Sequence, residues 1–424
     1  MAGIAGSAPP ALCPREGGGA GGSVPVPMEG LGRSSSVLAL ATVGLGCAVW
    51  TYRRRTEAKL ERAGGGRAQG QGQPQRWRVS APGQRTAAAV YDYCLAQLRR
   101  EYNGETEGLL TDQRRAAGTA VQPVPLEACQ SIVTPWERAD EEGAPPAARG
   151  GCEWVLPQQQ GGATAGRRIL YCHGGGYTGC TPAEYRGLTT RLAAATGLPL
   201  FIFDYRKAPE HPFPAAVDDA QTALAHVCAH GPDGPGAATE VILMGDSAGG
   251  GLALGLLLRL GREGRAGATA LRLVTISAYT DLRCSTPSYD SRVWREDSRR
   301  GDVCFSSGDA EQDRQQGRVW AQQYAARPEH ATHPEAAPYY ASDGALGALP
   351  PTLMVVGDEE SMLSESTELA ARARAAGADL TLSVYPRMWH VWPMYSEACR
   401  CPEPGAVLCE AEEALAQIAA WCRA

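Results

Sequence analysis

VILMGDSAGGG, residues 241–251, sets Ser247 among four glycines directly after a run of apolar residues. The apolar run predicts a buried strand, and the leucine-rich residues after the glycines predict a helix. GDSAG (245–249) therefore fits a G-x-S-x-G turn between strand and helix, whose strained backbone pushes the serine hydroxyl out of the sheet. A phosphate-binding loop does not fit, because no Lys-Ser/Thr follows and the glycines do not match G-x-G-x-x-G. The pattern favours a nucleophilic serine.

From about residue 168, short apolar stretches alternate with amphipathic ones along the chain. This alternation predicts an α/β fold with a mainly parallel sheet covered on both faces by helices. An earlier stretch, 85–102, also has apolar residues at helical spacing. The predicted strands are 168–172, 199–205, 240–245, 271–277, 351–357 and 380–386, and the later helices are 182–196, 214–228, 248–260, 364–376 and 407–422.

The first eighty residues differ in composition from the rest. Residues 1–36, rich in Gly, Ala, Pro and Ser, predict a disordered leader, and residues 53–80 predict a linker. Between them, Val37–Tyr52 is uncharged and precedes three arginines. A membrane-spanning helix needs ~20 apolar residues, so this segment is marginal. It fits a short membrane anchor, the core of an uncleaved signal, part of a transit peptide or a buried helix.

The main domain is predicted over residues 81–424. If the segment before it enters a membrane, the three arginines would hold this domain on the cytoplasmic side. The expected location is then the membrane of the endoplasmic reticulum. If the segment does not anchor the chain, an organelle or the cytoplasm is expected instead.

The net charge and the spacing of the cysteines limit which classes of ligand the chain is expected to bind. The formal net charge of −6 excludes an ordinary nucleic-acid footprint. The fourteen cysteines are irregularly spaced, which predicts mostly free thiols in a chain of this length. Cys399, Cys401 and Cys409 could hold a disulfide or a metal, but they lack the paired CxxC spacing of zinc sites. No metal is expected.

A serine is a weak nucleophile unless a base removes its proton. In hydrolases with a G-x-S-x-G turn the acid and then the histidine follow the serine along the chain. Only His330, His333 and His390 follow Ser247. The first two lie in a proline-bounded connection, whereas His390 follows a predicted strand, so His390 is the predicted base.

The acid is expected after the strand that ends at Gly357. GDEES offers Asp358, Glu359 and Glu360 there, and spacing alone does not choose among them. Its role would be to accept a hydrogen bond from the second imidazole nitrogen and to stabilise the imidazolium.

A site for negative charge is predicted after the strand RILYC. HGGG places His173, Gly174, Gly175 and Gly176 there, and three glycines leave backbone N–H groups open to a ligand. With the N–H of Ala248 these glycines would form an oxyanion hole. His173 is expected to orient the loop by hydrogen bonds rather than to transfer protons.

Three stretches, HGGGY, DYRKAPEHPFPAA and GDSAGGGLAL, resemble the hormone-sensitive-lipase (GDxG) branch of the α/β-hydrolases, which includes arylacetamide deacetylase and many carboxylesterases. The resemblance runs from about residue 165 to the C-terminus. It implies a central, mainly parallel sheet, a helical cap built partly from residues 81–135, and cofactor-free hydrolysis of small-molecule carboxylic esters.

By position, the resemblance implies that Ser247 is the nucleophile and His390 the base. The acid falls three residues after the glycine of VVG, at Glu360, with Glu359 as the alternative. The oxyanion donors map to Gly175, Gly176 and Ala248, and Gly174 shapes the loop.

Other family positions imply structural roles. Arg206 and Glu210, in YRKAPE, are expected to hold their loop against the site, and Asp281 is expected to be structural. The clearest departure is 283–318, a charged connection that is longer than usual in the family and could alter access to the acyl pocket.

The leading hypothesis is a serine esterase that works through an acyl-enzyme. An amidase, deacetylase or acyltransferase would use the same triad, and a non-catalytic ligand receptor would use the same fold. Receptors of this kind lack the catalytic histidine, so His390 argues against that alternative. A trypsin-like protease is excluded by the α/β alternation. The sequence makes no prediction of oligomeric state.

Overall fold

The computed structural model describes residues 77–79, 85–102, 119–123, 151–157, 166–265 and 269–424. The predicted leader, 1–36, and the candidate membrane segment, 37–52, lie outside these residues. Among the helices of the described ranges, none has the length and apolarity to cross a membrane.

A mixed sheet of nine strands forms the centre of the described chain. Its order is β1-β11-β10-β9-β8-β4-β5-β3-β2, and every neighbouring pair is parallel except that β3 runs antiparallel to both β5 and β2. A two-stranded hairpin, β6 and β7, lies apart from it. The strands are β1 Trp77–Val79, β2 Thr119–Pro123, β3 Cys152–Pro157, β4 Arg167–Cys172, β5 Leu200–Phe203, β6 His230–Gly231, β7 Gly234–Pro235, β8 Glu240–Asp246, β9 Ala270–Ile276, β10 Thr352–Gly357 and β11 Leu380–Tyr385.

Helices connect and cover these strands. They are α1 Ala88–Tyr102, α2 Arg186–Thr196, α3 Ala215–Ala229, α4 Ser247–Arg262, α5 Ser288–Ser291, α6 Ala310–Ala325, α7 Asp343–Gly347, α8 Leu363–Ala375 and α9 Cys409–Arg423. Short 3-10 turns lie at Pro182–Tyr185, Pro328–Thr332, Pro338–Tyr340, Trp392–Tyr395 and Ala398–Arg400.

Two apolar cores lie on opposite faces of the sheet, because successive strand residues point to opposite sides. In β4, Leu170 and Cys172 join the core with α3, α4 and α8, whereas Ile169 and Tyr171 join the core with α1, α2 and α9. Both faces of a parallel sheet need such cover, since its strands are apolar throughout. This architecture confirms the predicted α/β fold.

Two short strands lie where the sequence predicted other structure. Trp77–Val79 falls in the predicted linker but pairs in parallel with β11. Thr119–Pro123 falls in the predicted cap but pairs with β3 at the other edge of the sheet. Both predictions are wrong over these residues, because edge strands of three and five residues are too short to show a periodicity.

The charged connection 283–318 is partly regular. It contains α5, a single β-bridge between Arg295 and Arg300, and the beginning of α6. All eleven cysteines of the described ranges are free thiols, including Cys399, Cys401 and Cys409.

Candidate active site

The turn between β8 and α4 places Ser247 at the carboxyl edge of the sheet. Ser247 has a φ of 51°, in the left-handed region that residues other than glycine rarely adopt. A Cβ at Gly249 would overlap the Cys172 carbonyl oxygen, and one at Gly245 would overlap the Gly249 backbone. Only glycine therefore fits on either side of the serine, which explains the G-x-S-x-G spacing.

His390 lies beside this serine, although 143 residues separate the two. His390 Nε2 is 2.9 Å from Ser247 Oγ, and His390 Nδ1 is 3.0 Å from Glu360 Oε2. His330 instead contacts the carbonyl oxygen of Ala325 through Nδ1 at 2.7 Å. The structure thus brings together the three residues that the sequence selected as nucleophile, base and acid.

Glu360 is completely buried at the end of β10. Its Oε1 accepts hydrogen bonds from the Gly357 N–H at 2.6 Å and from Ser277 Oγ at 2.8 Å. Ser277 in turn accepts from the Val391 N–H at 3.0 Å. Sequence reasoning missed Ser277, since a lone serine after a strand carries no motif.

The neighbouring carboxylates point elsewhere. Glu359 accepts a hydrogen bond from the Gly301 N–H at 2.8 Å and forms an ion pair with Arg300. Asp358 accepts from the Arg387 N–H at 2.5 Å. In the structure, therefore, Glu360 rather than either neighbour faces His390.

Burial and mutual contact shift the pKa of both groups. Burial raises the pKa of Glu360, and its contact with His390 offsets part of that rise. Burial alone would lower the pKa of His390, but the hydrogen bond and charge of Glu360 outweigh it and raise that pKa above 6.5. The pair therefore favours a proton on the imidazole, which is the state that a general base reaches during attack.

The three glycines after β4 shape a loop beside Ser247. Gly175 has a φ of 105° and Gly176 a φ of 62°, and the N–H groups of both make no hydrogen bond within the described residues. Ala248 is at the first turn of α4, where N–H groups have no partner inside the helix. These three donors are available to a ligand oxygen.

Gly174 has a different role, since its N–H is already engaged. It donates to Asp246 Oδ1 at 3.2 Å and to Tyr185 Oη at 2.9 Å. Tyr171 and Tyr185 also donate to the Asp246 carboxylate, each at 2.8 Å. Asp246, which sequence reasoning left without a role, thus holds the glycine loop against the serine turn.

His173 is buried behind the same loop. Its ring stacks on Tyr205 at a centroid distance of 4.4 Å, and its Nδ1 is 2.8 Å from the Gly174 carbonyl oxygen. Tyr205 Oη donates to the His173 carbonyl at 2.8 Å. These contacts support the expected orienting role.

The other family positions lie away from the serine. Arg206 forms a bidentate ion pair with Asp219, in which Nε donates to Oδ2 at 3.0 Å and Nη2 donates to Oδ1 at 2.8 Å. The Glu210 side chain is exposed and makes no hydrogen bond or ion pair within the described residues, so its expected role in holding the loop is wrong. Asp281 accepts from Ser285 Oγ at 2.9 Å and from Tyr340 Oη at 2.7 Å, as a structural residue would.

A cavity of about 210 Å³ opens onto Ser247 and His390. Its walls are mostly aromatic or sulfur-containing side chains, which include Tyr102, Tyr279, Cys304, Phe305, Trp320, Met362, Met394 and Tyr395. An apolar pocket with a few convergent polar groups suits a small organic substrate.

Comparisons with known proteins identify the fold family of the chain. Residues 169–394 match the family described as the alpha/beta hydrolase fold. An acetyl-hydrolase from Streptomyces hygroscopicus is 36% identical over 270 residues, which cover 61% of this chain and 81% of that protein. An ethyl acetate hydrolase from Pseudomonas putida is 29% identical over 266 residues, covering 62% and 74%.

Solved structures extend the likeness to the fold. A crystal structure of an esterase from the bacterial hormone-sensitive lipase family superposes with a TM-score of 0.60 at 25% identity, covering 80% of this chain and 98% of that one. A hormone-sensitive lipase from a metagenome library gives 0.59 at 28% identity, covering 80% and 99%. The chain therefore belongs to the α/β-hydrolase fold family, among its hormone-sensitive-lipase-like carboxylic ester hydrolases.

Proposed function

We propose that this chain is a serine esterase in which Ser247, His390 and Glu360 form the catalytic triad. One observation carries the proposal. His390 lies within hydrogen-bond distance of both partners, at 2.9 Å from Ser247 Oγ and 3.0 Å from Glu360 Oε2. A nucleophile, its base and the group that orients the base need this arrangement.

In the first half-reaction, Ser247 Oγ attacks the ester carbonyl carbon while His390 Nε2 takes the hydroxyl proton. The carbonyl π electrons move to oxygen, and the N–H groups of Gly175, Gly176 and Ala248 stabilise that oxyanion. Loss of one such donor costs ~10²–10³ in rate in related chemistry. The intermediate then collapses, the bond to the alcohol oxygen breaks, and His390 Nε2 gives its proton to the leaving alkoxide.

In the second half-reaction, water attacks the acyl-enzyme by the same route and releases the acid. Glu360 accepts the hydrogen bond of the Nδ1–H throughout, so Nε2 is the nitrogen that exchanges the proton. Its charge stabilises the imidazolium that forms in both steps.

Ser247→Ala tests the proposal directly. Turnover of a short-chain aryl ester should fall by at least ~10³-fold, because triad members act as a unit. Ser364→Ala, a partly exposed serine on α8 outside the cavity, is the matched control and should keep its activity. Circular dichroism and melting temperature report whether each variant folds. Unchanged turnover in a folded Ser247→Ala would reject the assignment.

Labelling by a fluorophosphonate separates an esterase from a ligand receptor on the same fold. A receptor without a working base should label poorly, whereas the short contact between Ser247 and His390 supports rapid labelling of Ser247. Product analysis with competing alcohols and amines distinguishes hydrolysis from acyl transfer, and amide analogues of the ester test amidase activity.

A further inference from the structure

The cavity at Ser247 has two walls of different origin. One comes from α1 and from the residues that follow His390, with Tyr102, Met394 and Tyr395. The other comes from α6 and the connection before it, with Phe305 and Trp320. Phe305 lies inside 283–318, the connection that departs from the family pattern, and Trp320 lies just after it.

The direction of proton transfer indicates which wall of the cavity lies beside the alcohol of the ester and which lies beside its acyl group. Because His390 Nε2 must protonate the leaving alkoxide, the alcohol lies on the side of the His390 loop. The rest of the lining, which includes Phe305 and Trp320, is then the part of the cavity that is available to the acyl group.

Trp320 lies directly against the oxyanion loop. A Cβ placed on Gly176 would be 3.2 Å from Cγ and Cδ2 of the Trp320 indole. The Phe305 ring packs on this indole at a centroid distance of 5.8 Å. Phe305 is itself buried and is backed by Tyr289 at 6.2 Å, so the two rings form a supported wall rather than a free flap.

The helix that carries Trp320 is held close to its neighbours. A Cβ at Gly317, one turn earlier in α6, would lie 2.7 Å from Cys284 Sγ. The Asp309 side chain caps the helix by accepting from the Gln312 N–H at 2.8 Å. Close packing leaves α6 little room to move away from a longer acyl chain.

We propose that Trp320, with Phe305 behind it, closes the acyl end of the site and restricts substrates to short acyl groups, from acetyl to about butyryl. This inference rests on the proposed esterase function. The cavity supports it, because its volume of about 210 Å³ is smaller than the ~300–1,000 Å³ of pockets for drug-sized ligands.

Trp320→Ala tests the inference with p-nitrophenyl acetate, butyrate and octanoate. The wild-type kcat/KM should fall by at least ~10²-fold from acetate to octanoate, because each methylene that a pocket rejects costs ~10–200-fold. Trp320→Ala should raise the octanoate-to-acetate ratio of kcat/KM by at least ~10-fold. The ratio is the readout because any disturbance of the nearby oxyanion loop would lower both rates together. Phe305→Leu, a milder change, should move the ratio in the same direction.

Val319→Ala is the matched control, because Val319 is the neighbouring residue of α6 and is exposed. It should leave the ratio unchanged. Fluorophosphonate labelling of Ser247 in every variant shows that the site is assembled. Wild-type cleavage of octanoate as fast as acetate, or an unchanged ratio in labelled Trp320→Ala, would overturn the inference and leave the esterase function standing. Persistent turnover by Ser247→Ala would instead overturn the esterase proposal itself.

Discussion

Ser277 Oγ donates a 2.8 Å hydrogen bond to Glu360 Oε1, the carboxylate oxygen that does not face His390. The same hydroxyl accepts from the Val391 N–H at 3.0 Å, one residue after the histidine. Ser277 therefore ties the acid to the loop that carries the base. We describe it as a positioning residue, because its contacts are with other residues of the site.

Ser277→Ala should lower kcat/KM by ~10-fold and the free energy of unfolding by ~1–3 kcal/mol, since it leaves buried polar groups without a partner. Burial raises the pKa of Glu360, and the Ser277 hydrogen bond lowers it. Without that bond the carboxylate holds the Nδ1–H of His390 more strongly, so the pKa of His390 should rise further. Because the titration of His390 sets the acid limb of the pH–rate profile, that limb should move to higher pH. Thr275→Val is the control, because the buried Thr275 hydroxyl makes no hydrogen bond within the described residues. A profile that does not move would show a purely structural role.

Glu360→Gln should reduce kcat by ~10²–10⁴-fold, because a neutral amide neither fixes the tautomer of His390 nor stabilises its imidazolium. Glu359→Gln should cost ~10-fold or less, since that carboxylate pairs with Arg300 and the Gly301 N–H instead. Steady-state kinetics on an acetyl ester compares the two. A larger loss of kcat in Glu359→Gln than in Glu360→Gln would show that Glu359 is the acid of the triad.

The pH dependence follows from the raised pKa of His390. Only the neutral imidazole accepts the serine proton, so kcat/KM should rise with pH, with a midpoint above 6.5. In Glu360→Gln the carboxylate that raises this pKa is gone and burial lowers it, so the midpoint should fall. Profiles of kcat/KM between about pH 5 and pH 9 bracket an imidazole titration and measure both midpoints. An upward shift in the variant would contradict the coupling.

Gly174→Ala should reduce kcat by ~10²–10³-fold by displacing the oxyanion loop. Its Cβ would lie 2.5 Å from Asp246 Oδ2 and 2.7 Å from Tyr185 Oη, far inside contact distance. Gly179→Ala on the same loop meets only the Gly175 carbonyl oxygen, at 3.7 Å, and should be tolerated. Steady-state kinetics and melting temperatures of the two variants test this expectation. Equal activities would mean that the loop adapts without loss.

Much of the fold could be predicted because its elements are long and periodic. The predicted strand 240–245 matches β8 except for its last residue, Asp246, and the predicted helix 364–376 matches α8 within a residue at each end. The turn at Ser247 could be predicted because its two glycines have a fixed spacing in the sequence, and a Cβ at Gly245 would overlap the backbone of Gly249.

The remaining features depend on contacts between distant residues. Glu359 and Glu360 are adjacent and chemically alike, and only the turn after β10 decides which one meets His390. Ser277 and Asp246 gain their roles from partners on other strands. The contact of Trp320 with Gly176 joins segments 144 residues apart, so the periodicity of the sequence does not predict it.

Strand β1 has a practical consequence for shortened chains. Trp77–Val79 covers the outer side of β11 through backbone pairing. A truncation that removes the candidate membrane segment but starts after residue 80 would also strip this cover and leave a row of unpaired amides and carbonyls. Such rows template intermolecular pairing and aggregation. A truncated protein intended for crystallisation should therefore begin upstream of residue 77.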